Sequence, residues 1–414
     1  MEAPFKKHDP YEALRIKEFR FYILGRFFLS ASLQVQMVAI GWQIYQITHD
    51  PFSLGLIGLA EAIPAISIAL YGGRLADLFN RKKIIILMVF LLLICSITLF
   101  FISYYSNIIL SSNDVLPIYA VIFLTGIARG ILGPAIFSFL PQIVTDKSMF
   151  SNAVTWNSTM WQISATVGPA IGGLMIAPLG LTRTYFLDII LVVISLFFFN
   201  MIGSKPVPVK QTTDNFWNEI TSGIRFVFSN QIILAAITLD LFAVLFGGAV
   251  ALLPIFAKDI LQAGAFEFGL LKSAMGIGSA LTALLIAYYP IRKNAGKTLL
   301  FAVAGFGLCT IGFGISEFLW LSFLMLFLCG VFDGISVVIR GTLMQTYTPD
   351  HMKGRVSAVN NMFIGSSNEI GAFESGAAAK LMGVVPSVVF GGAMSLLVVG
   401  IASRKADKLR NLDI

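Results

Sequence analysis

Charge is the scarcest ingredient of this sequence. Asp, Glu, Lys and Arg make up 12% of its 414 residues, while the mean hydropathy is +0.84. A soluble chain of that length has too little polar surface to cover so apolar an interior. Cysteine and histidine are scarce too, with three of each. Cys95, Cys309 and Cys329 sit inside apolar runs without paired spacing, as buried small hydrophobes do, which argues against a disulfide framework. His8, His49 and His351 are scattered over loops, so no metal site is expected. A phosphate-binding loop is also missing: Asn294–Thr298 (NAGKT) imitates the end of one, but Ile291 stands where its glycine should be. No cleavable leader is expected. The first twenty residues are polar and charged, and the apolar run after them is too long for a signal region. These absences point away from an enzyme and from any cofactor.

Long apolar runs are what the chain has in abundance. Twelve are visible, near 21–47, 53–76, 83–105, 115–141, 151–177 and 182–203, then 230–256, 266–289, 298–315, 318–346, 356–380 and 384–402. Runs of roughly 18 or more apolar residues cross a bilayer as helices, because hydrocarbon offers the backbone no other hydrogen-bond partners. Barrel strands would be shorter and would alternate. The expected fold is an all-α integral membrane protein with twelve transmembrane helices in two six-helix halves. The first bundle covers 1–203, a linker covers 204–229, and the second bundle with a basic tail covers 230–414. In the linker, Phe216, Ile220, Ile224 and Val227 recur as on a short amphipathic helix at the membrane surface. With both termini placed in the cytoplasm, 22 Lys and Arg fall inside, three outside and four within helices. That asymmetry is the positive-inside pattern. It accounts for most of the formal net charge of +7 without nucleic acid.

The halves resemble each other. Thr125–Asp146 (TGIARGILGPAIFSFLPQIVTD) aligns without gaps with Cys329–Asp350 (CGVFDGISVVIRGTLMQTYTPD), a repeat of about 204 residues. Duplicated bundles of this kind are common in secondary transporters.

The densest charge lies between the second and third runs, in GGRLADLFNRKK (Gly72–Lys83). Gly72 and Gly73 should let the helix end approach a neighbour. Asp77 can accept from a helix N-terminus or pair with an arginine, and Arg74, Arg81, Lys82 and Lys83 should anchor the turn in the cytoplasm. Gly73, Asp77, Arg81 and Lys82 resemble the signature loop of the major facilitator superfamily, which implies a cytoplasmic latch between the halves. Leu78 and Asn80 depart from the base and the glycine usual there. In the fifth run, Gly168, Pro169, Gly172 and Gly173 (SATVGPAIGG) resemble the antiporter motif of facilitator exporters, with Ser164 replacing its leading glycine. Small residues there permit close helix contact. With GRFFLS, IGWQIYQIT and FLPQIV, these stretches resemble the branch that includes the enterobactin exporter and macrolide efflux pumps. The resemblance covers nearly the whole chain. It implies a secondary transporter of the bacterial inner membrane working by alternating access.

Ionisable residues at membrane depth are costly, so they should face a cavity or a partner. Glu61, Arg129, Asp240, Asp333 and Arg340 are the expected coupling residues. Arg129 and Asp333 occupy equivalent places in the repeat. Asp333 and Arg340, seven residues apart, share a helix face about 10 Å apart along the axis. Glu369 and Glu374 project about 140° apart and should not pair, and Asp188 reads as structural. The resemblance places Arg26, Gln36, Gln43, Trp156, Trp161, Gln162 and Glu369 around a substrate cavity. Amides and aromatics suit a bulky, partly apolar molecule. The expected activity is proton-coupled export of a drug-like compound or siderophore by a monomer in the lipid bilayer. An importer or metal exporter on the same fold, or a non-transporting receptor or scaffold, are the alternatives.

Overall fold

The computed structural model describes residues 9, 11–106, 115–206, 216–289, 291, 294–349 and 352–405. Within them the chain is helical and holds no strand. The helices are α1 (Lys17–Thr48), α2 (Pro51–Leu78), α3 (Arg81–Tyr104), α4 (Leu116–Ile143), α5 (Lys147–Asn200), α6 (Phe216–Ser229) and α7 (Gln231–Phe246). They continue with α8 (Ala265–Tyr288), α9 (Ala295–Gly314), α10 (Leu319–Tyr347), α11 (Lys353–Met382) and α12 (Val384–Lys405). After α7, short 3-10, α and π turns extend the helical stretch to Ile260. The tail residues Lys6, Lys7, Lys408 and Arg410, the linker residues Pro208, Lys210 and Asp214, and Arg292 and Lys293 lie outside the described residues.

Ten helical stretches among the described residues are long and apolar enough to cross a membrane. Two expected runs are joined in α5, which spans 54 residues. It breaks at Gly180, whose backbone (φ 76°, ψ 174°) lies in a region essentially closed to residues with a Cβ. The eleventh run, α11, is helical as expected but too polar to count among the apolar spans.

Local chemistry marks the helix ends. Asp50 caps α2, Asn80 caps α3, Asp146 caps α5 and Asn230 caps α7, each accepting from backbone amides of the first turn. Outer faces are apolar. On α3, Leu87, Phe90, Ile94, Ile97 and Phe101 are all exposed at helical spacing, while Ile85, Val89, Leu92 and Leu99 on the other side are buried. Such a stripe belongs against lipid. The amphipathic helix forms as α6, and its Val227 is fully buried against Ile233, Val356 and Val359.

Helices α1–α5 pack among themselves, as do α7–α12. Two seams join the groups, α2 on α11 and α5 on α8. Both seams cross at glycine. A Cβ on Gly55 would lie 3.0 Å from Cα of Gly376, and one on Gly173 would lie 2.6 Å from Cα of Gly269. At the end away from the basic loops, one apolar core runs through both groups, from Val38 and Tyr45 to Phe256, Phe268 and Ala379. Trp42 stacks on Phe268 at 5.6 Å, Phe52 meets Phe373 at 5.8 Å, Tyr45 donates to Asp259, and Lys380 pairs with Asp50 at 3.3 Å. Toward the basic end the apolar clusters stay within one group each. Gly133, Gly341 and Gly365 there face open space. Among the described residues, the halves thus share an apolar core at one end and none at the end that carries the basic loops.

Candidate functional site

Among the described residues, each half holds one ion pair between its membrane helices. In the first, Arg129 on α4 pairs with Glu61 on α2. Glycines seat the two helices on each other: a Cβ on Gly126 would lie 2.5 Å from the Glu61 carbonyl oxygen, and one on Gly130 would lie 2.6 Å from that of Ala65. The Glu61 side chain is 3% exposed and that of Arg129 is 42% exposed. The acid is therefore held inside the protein while the base reaches open space. No further donor serves the Glu61 oxygens among the described residues.

Glu369 on α11 lies within electrostatic reach of both Arg129 and Lys272 on α8. Its carbonyl oxygen backs onto Gly58 of α2, where a Cβ would lie 2.6 Å away. Two acids and two bases from α2, α4, α8 and α11 thus gather across the two halves, and their charges cancel. Lys272 was missed as a site residue in the sequence. Its signal is the same as that of Arg129, one base inside an apolar run (FGLLKSAMGIG).

In the second half, Nη1 of Arg340 donates to Oδ2 of Asp240 at 2.5 Å, joining α10 to α7. Both side chains are buried, 6% and 7% exposed. The arginine's ion-pair partner is therefore Asp240, not Asp333, its neighbour on the same helix face. Asp333 instead lines a small pocket with Asp240, Ser336 and Phe306. Gly330 and Gly334, which the repeat aligns with Gly126 and Gly130, seat α10 on α8 against Met275 and Ser279. The duplicated glycines thus do the same packing work in both halves.

Among the described residues, the loop after α2 makes no hydrogen bond or ion pair to the second half. Asp77 is 69% exposed and stands 3.7 Å from Arg81 of its own turn. Arg81 donates to the carbonyl oxygens of Ala76 (3.0 Å) and Ser138 (2.7 Å), and Lys82 to that of Asn200 (2.9 Å). The close approach expected of both glycines is made by Gly72 alone, whose Cβ would lie 2.7 Å from the Gly130 carbonyl oxygen. Gly73 faces open space.

The GPAIGG stretch wedges α5 between two neighbours. Gly168 packs on Gln34 and Gly172 on Val38, both in α1, while Gly173 and the carbonyl oxygen of Pro169 meet Gly269 in α8. Gln162 reaches the Gly276 carbonyl oxygen at 3.5 Å across the same seam. Trp161 is 51% exposed. Trp156 is half-buried against Tyr11, and Arg26 is half-buried with no ion pair among the described residues.

Gln36 and Gln43 lie elsewhere than expected. Both are buried inside the first half, away from open space. Gln36 donates to Asp188 at 3.2 Å, Ser32 donates to the same carboxylate, and the Tyr185 hydroxyl donates to Gln43 at 2.7 Å. These bonds tie α1 to the second limb of α5, and Asp188 has the structural place expected of it. No group of three or more metal-ligating side chains occurs among the described residues.

A family model described as transmembrane secretion effector matches residues 8–413. The enterobactin exporter EntS of Shigella boydii serotype 18 is 27% identical over 384 residues, covering 92% of this chain and 90% of its own. That of Escherichia coli O1:K1 is 27% identical over 385 residues, with the same coverage. A solved POT family transporter in complex with a thioalcohol-conjugated peptide has the same fold, with a TM-score of 0.74 at 12% identity over 94% of this chain and 96% of that one. A bacterial homologue of the human lysosomal transporter Spinster, solved inward-facing and unoccupied, gives 0.72 at 14% identity over 96% and 99%. These relatives are transporters and not enzymes. On the near-complete match to its model, the chain belongs to the transmembrane secretion effector family of major facilitator transporters, as a multi-pass membrane protein.

Proposed function

We propose that this chain exports a bulky, amphipathic small molecule from the bacterial cytoplasm by proton-coupled alternating access. The shape carries the reading: two halves shut at one end, parted at the basic end, with a charge-balanced cluster where they meet. Counting α5 as two limbs and adding α11 to the apolar spans brings the crossings to twelve, with both termini on the cytoplasmic side. A span of 54 residues is about 80 Å of helix, far more than one bilayer crossing needs. The segments 1–203 and 230–414 then move as two bodies, bridged by 204–229. Relatives named as enterobactin exporters favour export over import and a siderophore-like cargo.

In this scheme a monomer in the inner membrane loads its cargo from the cytoplasm. The seams at Gly55/Gly376 and Gly173/Gly269 act as the contacts about which the halves rock. Protonation of Glu61 or Asp240 biases the facing, with Arg129, Asp333 and Arg340 tuning the charge. The exposed Asp77 is free to engage the second half once the basic end closes, and the space beside Gly73 leaves room for it.

The test is efflux from cells lacking their main pumps and expressing this chain. A cationic dye, a macrolide and a catecholate siderophore are followed with and without a protonophore. Protonophore-sensitive loss of one of them is expected, as is failure of Asp77→Asn to export despite intact expression. Retention of all three would sink the drug-or-siderophore reading.

A further inference from the structure

The two charge centres do not balance alike. Glu61, Arg129, Glu369 and Lys272 sum to zero. In the second half Arg340 matches Asp240, and Asp333 is left over. It makes no hydrogen bond and no ion pair among the described residues. On α10, Asp333, Ser336 and Arg340 recur at i, i+3 and i+7 and so share one stripe. Asp240 meets that stripe from α7, while Ala302, Val303 and Phe306 of α9 line another wall of the pocket. Ser336 lines it at 3% exposure, and its hydroxyl oxygen has no partner among the described residues. The pocket has room for about one water.

Arginine does not lose its charge in proteins. With both acids ionised, the pocket therefore carries one net negative charge at membrane depth, where an uncompensated charge is costly. What it lacks is one positive charge in a small volume.

We infer that the pocket between α7, α9 and α10 is a binding site for one monovalent cation. The occupant is either a proton on Asp333 or a sodium-sized ion held by Asp333, Asp240 and the Ser336 hydroxyl. Its role in coupling rests on the proposed export reading, but binding itself does not. The inference moves the cation-binding part from Glu61 and Asp240, which already face arginines, to Asp333. Among the described residues, the charged or titratable groups around Asp333 are few. Asp240 comes from α7, and Arg340 and Cys329 share its own helix. Cys309 of α9 lies beyond, against Cys329, and α8 presents Met275, Ser279 and Thr282 to α10.

The purified full chain in lipid nanodiscs tests this by thermal unfolding. One series runs from acid to alkaline pH in choline chloride. A second adds sodium chloride at alkaline pH. For a proton site, stability falls as pH rises, because the folded state binds the proton that the unfolded state has already lost. Sodium then matches choline, and Asp333→Asn flattens the pH response. For a sodium site, sodium stabilises saturably where choline does not, and both Asp333→Asn and Ser336→Ala lose the effect. Asp333→Glu keeps the charge and should shift the midpoint of whichever response the wild type gives, so a poorly folding Asn variant leaves the test intact. Wild-type responses to both pH and sodium in the variants would overturn the site. No transported substrate enters these measurements. A chain that exports none of the compounds tried can still show the site, and an efficient exporter with unchanged variant responses would overturn the site alone.

Discussion

The two ion pairs are alike in kind and unlike in setting. Arg340–Asp240 is closed off on both sides, while Arg129–Glu61 is closed on the acid's side only. A sealed pair holds a bundle together, since bulk solvent reaches neither charge. A half-open pair can change its partners as the surrounding space fills or empties. The difference separates two settings: the second half keeps its pair as part of its interior, and the first leaves one member of its pair facing open space.

That contrast can be broken in order of expected effect. Arg340→Met should be the most damaging substitution, because it leaves Asp240 buried and unmatched beside Asp333. Removing one member of a buried pair costs about 3–5 kcal/mol. A large drop in thermal midpoint and in monodisperse yield is expected, and adding Asp240→Leu should restore much of both. The glycine seats come next. Gly330→Ala and Gly126→Ala force a Cβ to within 2.0 Å of the Met275 and 2.5 Å of the Glu61 carbonyl oxygen. Overpacking of this kind costs about 1–3 kcal/mol, and similar losses in both halves, read by thermal unfolding, would show that the seats are equivalent even though the pairs are not. Arg129→Ala should spare most of the stability and abolish efflux, since water can reach the space it vacates. If it unfolds the protein as Arg340→Met does, the contrast is wrong. Lys380→Ala extends the series to an exposed pair at the shut end, with side chains 55% and 28% exposed. Such pairs contribute at most about 1 kcal/mol. Stability should hardly move, while cysteine labelling at that end should rise as it opens more often.

Much of the architecture was legible because hydropathy runs and basic loops are local properties of the chain. The repeat around Gly126/Gly330 and Gly130/Gly334 also survived translation, as each glycine lies against a neighbouring helix. Partner choice was not legible. Arg129 could be assigned a costly position from the sequence, but that Glu61 answers it depends on which helix α4 sits beside. Gln36 and Gln43 look the same in a cavity wall as in a core. Their fate was decided by Asp188 and Tyr185 on another helix. The Gly72–Gly73 pair shows the same limit at finer grain, since one residue of helix rotation sends the first against α4 and the second into space. One signal was present and unread: FSLGLIG and FEFGLLK share the phenylalanine and glycine that place Gly55 and Gly269 at the two seams.

The break at Gly180 has a mechanical meaning. A corner made of one residue has no slack, so the first limb of α5 cannot slide past the second. The first limb carries Gly173 at the seam with α8, and the second carries Asp188, bonded into α1. If the halves rock as proposed, displacement at the seam is delivered to the middle of the first half, as through a crank. A longer, looser corner grafted in place of Gly180 would let the crank slip, and the two halves would lose their timing before they lost their shape.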